Sequence, residues 1–174
     1  LVVVPARGGL GEDVEKQADT VAASLAKKLG GSYRLLNLPD DLGLESAASV
    51  REEPRIKQVL DTIRQARVVV HGVGTALEMA RRRNLSEAEI VHIQQLGAVG
   101  ESFGFYFNSA GEVVYTTSSL GLRLADLSSV PAVICVGGGA SKAQALSAVL
   151  RNGFSHIVVT DEGAAREIEY ESGR

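Results

Sequence analysis

A short apolar, β-branched run, then a glycine-rich turn, then a helical pattern occurs four times along this chain. The runs are LVVV (1–4), RVVVH (67–71), AVICV (132–136) and HIVVT (156–160). The turns after them are PARGGLGE (5–12), HGVGTA (71–76), GGGASKA (137–143) and TDEGAA (160–165). Strands that are apolar throughout, rather than alternating, are buried on both faces; alternation with helices makes the sheet mostly parallel. The expected fold is therefore α/β, a mostly parallel sheet with helices on both faces, Rossmann-type. Right-handed crossovers then bring all four turns to one edge, beyond the strands' carboxyl ends. Open α/β sheets bind ligands at that edge.

Between these units the pattern predicts further elements. Val14, Ala18, Val21, Ala22, Leu25 and Leu29 recur at helical spacing, which reads as a helix over 12–29 with one buried stripe, ended by Gly30 and Gly31. YRLLNL (33–38) reads as a strand and 39–50 as a polar loop. Pro54 starts a helix, and Ser86 with Glu89 makes a capping box. FGFYF (103–107) and EVVYT (112–116) flank a short turn and read as an inserted β-hairpin.

Composition narrows the class. Nineteen glycines against four prolines cluster after apolar runs, as in a folded domain and not a linker. With 18 basic and 21 acidic residues the net charge is −3, so the chain lacks the basic excess of a free-standing nucleic-acid binder. The lone Cys135 forms no internal disulfide, and no apolar run approaches the roughly 18–20 residues that span a bilayer. A cytoplasmic chain is expected. Its 174 residues fit one domain, but it opens directly on a core strand without Met, so it reads as part of a longer protein.

The four turns carry the candidate chemistry. Backbone N–H groups at a helix start attract anions, and glycine lets a phosphate approach. GGGASK adds the Ser141 hydroxyl and the Lys142 ammonium to the amides around Gly138 and Gly139, although its spacing is not that of a P-loop. HGVGTAL has G-x-G without the third glycine of the dinucleotide fingerprint. Each turn is open to two readings, a phosphate cradle or a plain strand-to-helix turn. Arg7 reads either as a bidentate phosphate fork or as a surface arginine. Gln17 reads as a half-buried polar residue, and the run Arg81–Arg83 as a helix C-terminal charge cluster from which only one residue turns inward easily. Glu101 reads as an acceptor for sugar hydroxyls or an arginine partner. Asp161 and Glu162 read as first-turn acids or, more sharply, as a catalytic pair. No histidine spacing suits a metal, and neither a metal nor a cofactor is expected.

Taken together, VVVPARGGLGE, VVVHGVGTALEMARRR, GESFGFYFNSAGEVV, ICVGGGASKAQALSAVL and HIVVTDEGAA resemble the sugar-binding domain of the SorC/DeoR family of bacterial transcriptional regulators, from Leu1 to Ile168. GESFG and PARGGLGE are similar to its glycolytic branch. The resemblance implies a sugar-phosphate isomerase-like fold used as a sensor rather than an enzyme. It implies an N-terminal helix-turn-helix domain that binds operator DNA, assembly as homo-dimers and tetramers, and a phosphorylated-sugar effector, fructose-1,6-bisphosphate in the glycolytic branch. The branch's ligand contacts fall on Arg7, Gln17, Arg82, Glu101 and Lys142. The family's first phosphate loop and its DNA-binding domain would precede Leu1. The rival readings are a sugar-phosphate isomerase or deaminase using Asp161, Glu162 or His71 as acid and base, a nucleotide-binding Rossmann domain, and a purely structural oligomerisation module.

Overall fold

Three of the four apolar runs form one parallel sheet. β3 (Val68–Gly72) pairs with β8 (Ala132–Val136), which pairs with β9 (Ile157–Val159). The structure is a computed structural model that describes residues 1–10, 13–40, 42 and 44–172. It divides into two units, residues 1–66 with 117–126, and 67–116 with 127–174.

In the first unit, β1 (Val2–Val3) runs parallel to β2 (Ser32–Tyr33). The first apolar run therefore belongs to its own small sheet. Gly11 and Glu12 of its turn lie outside the described residues. The helix expected over 12–29 is divided: a 3-10 turn, Val14–Lys16, precedes α1 (Ala18–Lys28), and Gln17 between them is extended (φ −66°, ψ 142°). Gly30 follows with φ +64°, the left-handed exit a helix end favours. Of the expected apolar stripe only Ala22 is buried, and Ala18 is half-buried. Val14, Val21, Leu25 and Leu29 are 70%, 52%, 40% and 56% exposed, whereas Ala22 and Ala26 are buried. The break at Gln17 separates Val14 from the helix, and α1, which neighbours β1 and β2, buries small alanines instead.

The expected strand over 33–38 stops at Tyr33. Asp19 accepts the N–H groups of Leu36 and Asn37 at 3.0 and 2.9 Å, and Asn37 turns to φ +50°, so the chain bends there. The expected loop over 39–50 contains α2 (Leu44–Arg51). ESAASVR has too few apolar residues to show a period; Ala47 is buried. α3 (Pro54–Arg64) begins at the proline, capped by the Glu53 carboxylate on Ile56 N–H at 2.9 Å, and buries Val59, Leu60 and Ile63.

In the second unit, β4 (Gly74–Thr75) leads into α4 (Ala76–Arg82), then α5 (Glu87–Gln95). The capping box is present: Ser86 Oγ accepts Glu89 N–H at 3.3 Å while the Glu89 carboxylate accepts Ser86 N–H at 2.9 Å. The hairpin is β6 (Phe105–Asn108) with β7 (Val113–Thr116), and it extends into a four-stranded antiparallel sheet ordered β4-β5-β6-β7. Its strand β5 (Ala98–Ser102) escapes sequence reading because AVGES lacks a strand pattern. Ala76, Ala80, Ile90, Ile93 and Tyr106 pack between this sheet and α4–α5. After the one-turn helix α6 (Leu124–Leu127), β8 leads through a 3-10 turn, Ala140–Lys142, into α7 (Ala143–Asn152), and β9 leads into α8 (Glu162–Ser172).

The parallel sheet buries Val69, His71, Val133 and Cys135 on one side. On the other, Val68, Val70, Val136, Ile157 and Val159 stay about half exposed.

Candidate ligand-binding site

Glycines bring three segments of the second unit together. Gly74 of β4 pairs with Glu101 of β5. Gly100 lies so close to α7 that a Cβ there would come within 2.9 Å of the Ala145 Cα. Gly137 lies against the Val73 side chain, 2.7 Å from where its own Cβ would be. The turn after β3, the end of β5 and the turn after β8 are thus neighbours. Among the segments singled out in the sequence, the TDEGAA turn joins them through Asp161, described below.

Glu101 is 3% exposed and accepts from Arg83 Nη2 at 2.9 Å. It also accepts the N–H of Gly104. Of the arginine run, Arg83 turns inward, and Arg81 and Arg82 are exposed on the last turn of α4. The inward residue is therefore one position beyond Arg82, the one the family resemblance selects. The register of α4 decides this: Arg83 follows Ala76 and Ala80, both buried, by seven and three positions and continues their face. Arg82 keeps its guanidinium at the surface.

His71 does not face open space. Its Nδ1 lies 2.9 Å from Ser102 Oγ and 3.1 Å from the Gly72 carbonyl, and Nε2 lies 3.0 Å from Ser155 Oγ. Ser102 Oγ donates to the Gly72 carbonyl at 3.0 Å. With that proton so committed, Nδ1 carries the ring proton and Nε2 accepts from Ser155. The ring packs 4.8 Å from Phe103 and 5.3 Å from Phe154. Burial pushes its pKa below the ordinary 6.5, opposed in part by the Gly72 bond. Both nitrogens are engaged by serines, which argues against His71 as the base an isomerase would need. Phe103, next to Ser102, holds φ +54°, unusual for a bulky residue, with Gly104 at φ +77° completing a tight hairpin turn.

The GGGASK turn places Ser141 at the surface and Lys142 half-buried just before α7. Gly139 adopts φ +91°, which a side chain would strain. Its N–H donates to Asp161 Oδ2 at 2.7 Å, and Asp161 Oδ1 accepts Ala164 N–H at 2.8 Å. These bonds hold the Asp161 pKa below the ordinary carboxylate value, the Ala164 bond most. Asp161 caps α8, and the neighbouring Glu162 pairs with Arg166 along the helix surface. The two acids have separate structural partners and do not form a catalytic pair. Cys135 is fully buried, and desolvation pushes its thiol up to about 11, so it is a core residue.

In the first unit, Arg7 is neither a surface residue nor a bare fork. It is 8% exposed, and Nε donates to Asp40 Oδ1 at 3.0 Å and to Ser119 Oγ at 2.8 Å. Ser119 Oγ in turn donates to Asp40 at 2.6 Å. Asp40, 33 residues away, carries no sequence signal that pairs it with Arg7. Gln17 lies over the first turn: its Oε1 is 2.3 Å from where a Cβ on Gly9 would stand, and Nε2 donates to the Leu10 carbonyl at 3.4 Å. Gly9 N–H and carbonyl bond to Leu38 and Asp40, so the turn is fastened on both sides.

Comparison with known proteins matches residues 1–168 to the family described as "Putative sugar-binding domain". The chain is 47% identical over 168 residues to the Central glycolytic genes regulator of Bacillus subtilis, covering 97% of this chain and 49% of that protein. It is 46% identical to the regulator of the same name from Priestia megaterium, with the same coverage. It thus spans about half the length of these relatives. A SorC family transcriptional regulator from Enterococcus faecalis superposes with a TM-score of 0.89 at 44% identity, over 97% of this chain and 68% of that one. All three of these relatives are named as regulators. Among the described residues no helix is long and apolar enough to cross a membrane.

Proposed function

The chain belongs to the sugar-binding domain family of SorC-type transcriptional regulators, and from that membership we propose that it senses a phosphorylated sugar, fructose-1,6-bisphosphate, for a repressor of glycolytic genes. The supporting observation is the turn between β8 and α7, where Ser141, exposed, and Lys142, half-buried, are consecutive residues just before a helix. A hydroxyl donor and a flexible ammonium suit a phosphate monoester. Arg82, exposed on α4, supplies a second cation for phosphate. Glu101 reads sugar hydroxyls through a carboxylate already fixed by Arg83. Gly138 and Gly139 keep the turn free of side chains. Within the first unit taken by itself, Arg7 and Gln17 are proposed as phosphate and sugar contacts on the family resemblance alone.

The effector acts by binding one arrangement of subunits better than another. A coupling of about 1–3 kcal/mol is enough to change operator occupancy severalfold or more. Homo-dimers or tetramers and operator DNA, reached through a helix-turn-helix domain, are the proposed partners. Titration calorimetry tests the reading. Fructose-1,6-bisphosphate is expected to bind, fructose is not, and Arg82→Ala and Lys142→Ala each weaken binding. Unchanged affinity in both variants removes these residues from the site; no binding by the unmutated protein removes the function.

A further inference from the structure

We propose that Asp161 is a positioning residue for the phosphate-holding turn, its carboxylate shaping residues 137–142 so that Ser141 and Lys142 face an incoming anion. The inference rests on the function proposed above and concerns how that site is built. The two carboxylate oxygens divide the work. Oδ1 accepts Ala164 N–H and caps α8; Oδ2 accepts Gly139 N–H and reaches across to the neighbouring turn. Gly139 then passes the constraint on, because its carbonyl accepts Lys142 N–H at 2.9 Å. One carboxylate therefore fixes the amide of the residue whose carbonyl fixes the backbone of Lys142.

The glycines fit this role. A Cβ on Gly138 would stand 2.5 Å from Asp161 Oδ2, so glycine at 138 makes room for the carboxylate. Gly139 at φ +91° turns its N–H toward Asp161. The sequence suggests that such amides serve a phosphate. In the folded turn the Gly139 amide serves Asp161, and the anion is left to Ser141 and Lys142. The carboxylate stays ionised at neutral pH, since its bonds favour the charged form.

The division of oxygens allows a selective test. Asp161→Asn keeps one oxygen, which can cap α8, but offers only its amide N–H₂ or nothing to Gly139. Asp161→Ala loses both bonds. Calorimetry with fructose-1,6-bisphosphate on the purified protein is expected to show affinity falling about tenfold in Asp161→Asn, the cost of a turn no longer preorganised. In a Lys142→Ala background the same substitution is expected to cost little, because the residue it positions is gone. The Gly139 amide proton should follow the Asp161 titration by NMR in the unmutated protein. Wild-type or tighter affinity in Asp161→Asn overturns the inference and leaves the proposed function standing. So does an equal loss in the Lys142→Ala background, which marks a general structural defect. No binding by the unmutated protein overturns the proposed function and this inference together.

Discussion

Arg83 and Glu101 form a buried ion pair, 2.9 Å between Nη2 and Oε1, with side chains 6% and 3% exposed. A buried pair is held by its mutual compensation. Removing one partner strands the other charge in the interior. Arg83→Met is therefore expected to destabilise the protein by about 3–5 kcal/mol. Arg82→Met, one residue earlier but exposed, is expected to change stability by less than about 0.5 kcal/mol. Urea denaturation of the two variants separates them: near-equal midpoints would show that the pair contributes no stability.

His71 makes stability depend on pH. Its folded-state pKa lies below the ordinary 6.5, so the unfolded chain binds the proton more readily. The contribution is fully present above pH ~6.5 and is lost as pH falls through the folded-state pKa. Between pH 7.5 and 5 the unmutated protein should lose more stability than His71→Gln. Parallel curves for the two would mean that another group carries the dependence.

Cys135 should be chemically silent. It is fully buried and its thiol is pushed up to about 11, so little thiolate exists at pH 8. A thiol reagent such as Ellman's is expected to leave the native protein unmodified and to react with one equivalent in urea. Rapid native reaction would contradict the burial.

Gly100 should tolerate no side chain. A Cβ there would stand 2.9 Å from both the Cα and the carbonyl oxygen of Ala145. Gly100→Ala must push α7 away from β5 and is expected to cost about 1–3 kcal/mol. Melting temperature reads this directly. A variant as stable as the parent would show that α7 can shift freely.

The features legible before folding are local. β3 and β8 match the apolar runs because consecutive β-branched residues carry their own signal. The Ser86–Glu89 capping box needs only two side chains three residues apart. The turn before α7 was legible as glycine-rich, and the family resemblance rests on such turns. α2 and β5 were not legible, because LESAASVR and AVGES carry no clear period.

The sequence by itself determined the α/β class, the order of apolar strands and glycine turns, and the family. Each depends on neighbouring residues and on patterns that a chain carries unfolded. The tertiary structure decided which arginine of 81–83 turns inward, which acid holds Arg7, and what the Gly139 amide bonds. It also decided that α1 buries alanines and leaves Val21, Leu25 and Leu29 exposed. Those outcomes depend on which surfaces meet. Arg7 meets Asp40 across 33 residues and Gly139 meets Asp161 across 22, distances at which sequence spacing carries no geometry.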